Sequence, residues 1–559
     1  MGGRQGSGAG LALALGLLAG TAHAAVPDVV ATSGGPVKAT ARGAMTTYFA
    51  IPYAAPPVGN LRWRAPQAPT KWTTPVAKTK PGAACIQTGA ASFRSTGDSE
   101  DCLYLDVHRP AGDGPFPVMV WIYGGAFTSG STGMYADPSA LVSKGVVVVA
   151  MNYRLGALGF LAHPALRDSD GSAGDYGIMD QQAALRWVQD NIAGFGGDPK
   201  NVTIFGESAG GFSVMTHLAS PGSAGLFQKA IIESGAYGVS GQLTQAELED
   251  RSAKALAKVL EAKDDAPATC DPAKVTADCL RALPLSMVRG KLMNAFTTEV
   301  GNVVPSVDGK VLPQTIKATF AAGGNNKVPV INGANENENT LFIALGELAA
   351  RFTAKPANFN PADRSFLMTA EAYAKTAEEQ SKTSGVPAAD LMGKHYPLKA
   401  YGKDVALQPT LASAAAGTDA TFSCNGINVS TRVAAQGQPI WMYEFRDQGA
   451  PSLVGSIAGK YVLSFNQGAA HASELPYIFN MMDVGSADRK ALKETMATYW
   501  TNFARDGNPN GKGVPAWAGF KTGKVQALDV PEDGGVKAMA ATAFKAEHKC
   551  TTAWVKQVF

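Results

Sequence analysis

The sequence is short of several things, and each shortage removes a class of function. Its formal net charge is only +3 over 559 residues, and no dense block of lysine and arginine occurs. Such a chain carries no electrostatic footprint for nucleic acid or an anionic membrane surface. It has no CxxC, and no histidine stands at ligand spacing, so the cysteines do not read as a metal site. The run Asp168-Ser169-Asp170-Gly171 falls short of the full calcium-loop pattern and reads as a solvated turn. No apolar run is long enough to span a bilayer. There is no internal repeat and no low-complexity linker. With 45% hydrophobic and 17% charged residues the chain can bury a large core and shows no disorder signature.

What is present begins with a leader. Arg4 is followed by an apolar run from Leu11 to Leu18 and by Ala22-His23-Ala24, small residues at the positions read by signal peptidase. The expectation is a signal peptide over residues 1–24 and a mature, secreted or periplasmic chain over 25–559 folded as a single domain with insertions. In an oxidising compartment six cysteines favour disulfides. Cys85 with Cys102 and Cys270 with Cys279 would close local loops, leaving Cys424 for Cys550. Six cysteines allow about 15 pairings, and spacing alone does not choose among them.

Along the mature chain, Pro117 to Tyr123 and Gly145 to Met151 are continuous apolar runs, as expected of strands buried on both faces of a mostly parallel sheet. Asp180 to Ile192 has helical spacing, with Leu185, Val188 and Ile192 on one side, and Gly194 to Pro199 breaks it. Val202 to Phe205 is a short strand and Ala209 to Leu218 a helix. Val328 to Ile331 and Ile440 to Phe445 read as later strands. Such alternation predicts an α/β fold. Gln242 to Met293 and Ala349 to Ala416 read as helical insertions over the carboxyl edge of the sheet, placed to shape a pocket.

Between strand and helix lies Gly206-Glu207-Ser208-Ala209-Gly210. A Gly-x-Ser-x-Gly in that context is the nucleophile elbow, a sharp strained turn that presents the serine hydroxyl at the sheet tip. Attack by the hydroxyl of Ser208 creates an oxyanion, which needs fixed donors. One is the amide of Ala209; the others are expected from Tyr123-Gly124-Gly125-Ala126-Phe127, the small-residue loop after an earlier strand. The base must follow the serine and the acid in chain order. That disfavours His108, His163 and His217 and leaves His395, His471 and His548. His548 sits beside Cys550 near the terminus, and His395 lies within a helical insertion. His471, in a late loop of small residues, is the best seat. The acid should follow the strand at 328–331, where Glu336 and Glu338 both qualify and spacing does not decide.

With these residues in place the chain resembles the type B carboxylesterase/lipase family, which includes cholinesterases. Ile51 to Pro66, Glu100 to Val107, Phe195 to Gly210 and Gly468 to Phe479 carry the resemblance, which extends over essentially the whole mature chain. It implies an α/β-hydrolase fold: a mostly parallel central sheet flanked by helices, with helical insertions over the active-site edge. It implies that the acid is Glu338, although Asn337 and Asn339 replace the family's usual neighbours. It implies oxyanion donors at Gly125, Ala126 and Ala209, support of the histidine by Glu207 and Ser234, and disulfides Cys85–Cys102, Cys270–Cys279 and Cys424–Cys550. The loop from Cys85 to Cys102 has no tryptophan to face a quaternary ammonium, so a choline ester is not the expected substrate.

The reading is a serine carboxylesterase that acts on small-molecule esters through an acyl-serine, with no metal or organic cofactor. Lipid, amide or carbamate bonds are open to the same machinery, since fold and triad do not fix a substrate. Non-catalytic binding proteins of this fold typically lose the serine or the histidine, and both are present here.

Overall fold

A strand covered on both faces has no wet side, so its sequence cannot alternate. Val118 to Ile122 and Val147 to Met151 are such strands, with every side chain at or near zero exposure. Burial of each large aliphatic side chain contributes on the order of 1.5–3 kcal/mol, and these runs form the centre of the sheet. The structure is a computed structural model and describes residues 1–3, 28–42, 45–88, 96–237, 241–261, 270–272, 274–354, 357–454 and 463–556. The leader expected at 1–24 lies outside the described residues from position 4 onward.

The main sheet has eleven strands: β1 Thr40–Arg42, β2 Met45–Pro52, β3 Tyr104–Pro110, β4 Phe116–Ile122, β5 Val147–Met151, β6 Gly197–Glu207, β7 Lys229–Glu233, β8 Val330–Asn335, β9 Ile440–Phe445, β10 Lys524–Leu528 and β11 Lys537–Ala540. Their spatial order is β11-β10-β9-β8-β7-β6-β4-β5-β3-β2-β1. The pairs from β10 across to β5 are all parallel, whereas β11 and the β3-β2-β1 margin run antiparallel to their neighbours. The fold is that of an α/β-hydrolase.

Register carries the functional consequence. Gly206 of β6 pairs with Ile122 of β4, Glu207 with Glu233 of β7, Glu233 with Gly333 of β8, and Asn335 with Phe445 of β9. The carboxyl ends of five strands therefore stop at one level, and the loops leaving them converge, as ligand sites of parallel sheets require.

Helices cover both faces. α1 (Tyr176–Asn191) precedes β6, α2 (Ala209–Ala219) follows it, and α8 spans Ala487–Asp506. Between them lie α3 (Gln245–Leu260), α4 (Thr340–Thr353), α5 (Ala370–Ser384), α6 (Gln408–Thr418) and α7 (Cys424–Ala435). α3 starts at a capping box in which Thr244 accepts from the amide of Glu247 and the Glu247 carboxylate accepts from that of Thr244.

Two boundaries differ from the sequence reading. The break at 194–199 is shorter, because a 3₁₀ turn over Ile192–Phe195 ends at Gly196 and β6 already begins at Gly197. The strand expected at 328–331 is β8, displaced to Val330–Asn335, so it runs directly into the turn that carries Glu338. Three disulfides join Cys85 to Cys102, Cys270 to Cys279 and Cys424 to Cys550. Among the described residues no helix is long and apolar enough to cross a membrane.

Candidate active site

Ser208 follows β6 and precedes α2 with φ 57° and ψ −122°, a conformation side chains avoid. Its surroundings hold it there. Its amide donates to the Glu233 carbonyl at 2.9 Å, and its own carbonyl accepts from Phe212 at 2.8 Å. The turn closes tightly enough to require glycine on both sides. A Cβ at Gly210 would lie 1.9 Å from the carbonyl oxygen of Ile122, and one at Gly206 would lie 2.6 Å from the Gly210 carbonyl carbon. The motif thus reflects a steric limit set by β4 and by the turn itself.

The loop after β4 comes to the same place. Gly125 has φ 111° and Ala126 φ 54°, so successive amides turn inward. The carbonyl of Gly125 accepts from the amides of Thr128 and Ser129, both at 3.0 Å. Among the described contacts the amides of Gly125 and Ala126 have no protein acceptor. Ala209 is the first residue of α2, where an amide has no intrahelical acceptor.

His471 stands in the loop system that follows β9, and its ring is buried. Nδ1 lies 2.5 Å from Oε2 of Glu338, and the His471 amide donates to the Glu338 carbonyl at 3.3 Å. Glu338 is fully buried just past β8. Its other oxygen accepts from the Ser234 hydroxyl at 2.5 Å and from the Asn335 amide at 2.8 Å. Of the two glutamates only Glu338 meets His471. Glu336 points the other way, to Arg446 at 2.6 Å and Gln448 at 2.5 Å. Burial raises its pKa to about 7 against the pull of Arg446.

The second ring nitrogen, Nε2, is 3.0 Å from Oε1 of Glu207, but off the hydrogen-bonding axis, and neither atom has a hydrogen-bond partner. The contact is one of charge. Burial pushes the His471 pKa down, but Glu207 and Glu338 outweigh it and hold the net value well above the ordinary 6.5. Burial raises the Glu207 carboxyl, with His471 opposing. An imidazole anchored at Nδ1 by a carboxylate presents Nε2 as a base, the arrangement acyl transfer uses. Ser208, Glu207, His471 and the Gly124-Gly125-Ala126 loop line one cavity of about 220 Å³.

Several neighbours were not legible beforehand. The Asn335 side chain donates to the Ala470 carbonyl at 2.7 Å and to Glu474 at 2.5 Å, tying the acid turn to the histidine turn. Asn337 adds a second tie: its amide donates to the Ala469 carbonyl at 2.9 Å, and its side-chain oxygen accepts from the Ala469 amide at 3.0 Å. Burial, then Glu207 and Glu338, raise the Glu474 pKa to about 8. Glu233 accepts from the Trp500 indole at 3.1 Å, and burial holds its carboxyl well above the ordinary range. Tyr237 sits by Ser208; burial raises its phenol, against a contact from the Ser208 hydroxyl. No spacing rule marks these residues.

The other described histidines lie elsewhere. His108 is in β3 near Thr47, His217 is buried between Ser223 and Gln181, His395 ends a π-turn, and His548 lies between Asp419 and Glu444. The Asp168–Gly171 turn faces Lys310, whose ammonium is 2.8 Å from Asp170. Neither helical insertion supplies a cavity-lining residue among those described; the wall facing the loop comes instead from Leu341, Phe342 and Leu345 of α4. That correction has a simple cause: α4 begins two residues after Glu338, so its first turns already overhang the site.

Comparison with known proteins shows the family of the chain. The model of the carboxylesterase family matches residues 27–549. Fumonisin B1 esterase of Sphingopyxis macrogoltabida is 34% identical over 500 residues, covering 86% of this chain and 82% of that protein. Cocaine esterase of Homo sapiens is 33% identical over 504 residues, with 86% and 82% covered. Among solved structures, PNB esterase superposes with a TM-score of 0.72 at 28% identity, covering 93% of this chain and 99% of that one.

Proposed function

The chain belongs to the carboxylesterase family and is a carboxylic ester hydrolase, and from that premise we propose that it works through an acyl-enzyme on Ser208, with His471 as base and Glu338 as acid. The observation that carries the reading is the 2.5 Å contact of His471 Nδ1 with Glu338 beside the strained Ser208 in one cavity.

In this mechanism Glu338 keeps the proton on Nδ1 and leaves Nε2 to take the proton of Ser208 as its oxygen attacks the ester carbonyl. Nε2 now faces Glu207, so the serine hydroxyl must align with it when substrate enters; catalytic hydrogen bonds commonly tighten at that stage. The amides of Gly125, Ala126 and Ala209 receive the oxyanion. His471 returns its proton to the leaving alcohol and then draws one from water, which releases the acid. Ser234 and Asn335 occupy the second oxygen of Glu338 and so orient the first. The reaction so described calls on no metal or organic cofactor.

We further infer that residues 1–24 are a signal peptide and that 25–559 form one secreted or periplasmic domain. The three disulfides support export, because such bonds persist in oxidising compartments.

The test is covalent. A fluorophosphonate probe should add one phosphonyl group to the peptide that carries Ser208, and Ser208→Ala should lose both labelling and ester turnover while keeping its melting temperature. Labelling at another serine, or full turnover by the variant, would overturn the assignment.

A further inference from the structure

The turn after β7 touches the nucleophilic centre at four points. The Glu233 carbonyl accepts from the Ser208 amide at 2.9 Å, and the Ser234 hydroxyl donates to Glu338 at 2.5 Å. Gly235 lies against α2, where a Cβ would stand 2.2 Å from the carbonyl carbon of Gly211. Two residues further on, the turn delivers Tyr237, whose phenol meets the hydroxyl of Ser208.

The ring of Tyr237 is held from two sides. It packs on Phe212 of α2 at 5.5 Å between ring centres and on Phe422 at 5.6 Å. Phe422 is itself 5.0 Å from His471, so one aromatic stack runs from the elbow helix to the imidazole. Nε2 of His471 has no hydrogen bond. In the resting site the side-chain partner of Ser208 is therefore a phenol and not the imidazole. Burial holds that phenol above its ordinary range; the Ser208 contact opposes this and the charge of Glu207 adds to it. Tyr237 stays protonated wherever His471 can work, and a protonated phenol can give a hydrogen bond as well as take one.

We propose that Tyr237 is a further catalytic residue, whose O–H donates a hydrogen bond to Oγ of Ser208 in the acyl-enzyme and speeds release of the acid. The proposal rests on Ser208 as the nucleophile. Acylation removes the hydrogen of the serine, so the only hydrogen bond the pair can then make runs from the phenol to Oγ. A donor there draws electrons from the acyl carbon and supports the charge that Oγ gathers as it leaves. Water bonds to the acyl carbon and gives a proton to Nε2 of His471. The bond between that carbon and Oγ then breaks, its electron pair goes to Oγ, and His471 hands Oγ the proton. Tyr237 keeps its own proton throughout. During the first attack the same donor gives no help, because it draws on the lone pair that Oγ must use. Its effect falls on the second half of the reaction, where the interaction strengthens towards the transition state.

The experiment is Tyr237→Phe, which keeps the ring and removes only the hydroxyl. Hydrolysis of p-nitrophenyl butyrate at pH 8 is followed by stopped flow, and acid-quenched protein is weighed and mapped by mass spectrometry. The expected result is a kcat about tenfold lower, the scale of one hydrogen bond to an atom gaining charge. KM should fall with it, so that kcat/KM, which reports acylation, stays within about threefold. The butyryl adduct on Ser208 should accumulate, and the melting temperature should hold. Tyr237→His restores a neutral donor on a flat ring and should recover kcat to within about threefold of the unaltered protein. A kcat that falls less than threefold in Tyr237→Phe overturns the proposal. So does a joint fall of kcat and kcat/KM, the mark of a displaced serine, and so does a Tyr237→His variant as slow as Tyr237→Phe. If Tyr237→Phe does not fold, Tyr237→Met is read by the same criteria. A butyryl group found on another residue, or on none, would instead bring down the reading of Ser208 and the proposal with it, which separates the two failures.

Discussion

Two glutamates separated by one residue have opposite fates. Glu338 turns inward to His471, and Glu336 turns out to Arg446 and Gln448. Glu338→Gln should therefore lower kcat on the order of 10⁴-fold, because a neutral amide no longer holds the imidazole in the working tautomer, whereas Glu336→Gln should leave kcat within about threefold. Steady-state kinetics on a p-nitrophenyl ester distinguishes them. Glu207 governs pH instead. His471 must be neutral to accept a proton, so activity falls as pH drops through its pKa. Burial lowers that pKa, but Glu207 and Glu338 raise it further, and the acidic limb of kcat/KM should lie above 6.5. Glu207→Gln removes one of the two raising charges, so the limb should move to lower pH. A limb that stays in place would mean that Glu207 carries a proton and exerts no charge on His471. At this scale the sequence singled out Ser208 and His471, which the fold brings to one cavity, because the elbow and the late small-residue loop have a pattern of their own. It offered no sign of Glu474, Glu233 or Tyr237, since a buried polar residue acquires its role only from partners far along the chain.

The elements show why the site is held so closely. β8 delivers Asn335 and, three residues later, Glu338; the chain after β9 delivers Ala470 and His471. One amide side chain spans the two turns. Asn335→Ala should therefore reduce kcat by about 10–100-fold through a small displacement of the imidazole, with KM changed less than about threefold. The deshielded proton resonance between His471 and Glu338 should broaden or vanish, and a variant that keeps both kcat and that signal would show the tie to be dispensable. The elements themselves were largely readable. Doubly buried parallel strands leave uninterrupted apolar runs, and α1 and α2 keep helical spacing. The origin of the cavity wall was not readable, because α4 and both insertions share the same helical composition, and only packing tells which one overhangs Ser208.

At the scale of the molecule the carboxyl-terminal segment is strapped to the body by more than Cys424–Cys550. His548 is buried, with Nδ1 2.6 Å from Asp419 and Nε2 2.6 Å from Glu444 of β9. Burial lowers its pKa, but the two carboxylates overcome this and raise it to about 10. A folded pKa above the unfolded value means that the stabilisation is complete below about 6.5 and is lost as pH rises towards 10. His548→Gln should lower the melting temperature at pH 7 by several degrees and flatten its fall between pH 6.5 and 10, as differential scanning calorimetry would report. An unaltered fall would place the alkaline sensitivity elsewhere. His548 had looked like a terminal histidine beside a cysteine, and only the fold shows it as an ion-pair centre. By itself the sequence determined the class of fold and the nucleophilic turn, because these follow from local rules: strand burial, helical period and the steric need for glycine around Ser208. The tertiary structure alone decided which helix walls the cavity and which charges surround it, and it shows why Glu338 rather than Glu336 meets His471, because those depend on the register in which distant strands stop and on the direction in which each turn leaves the sheet.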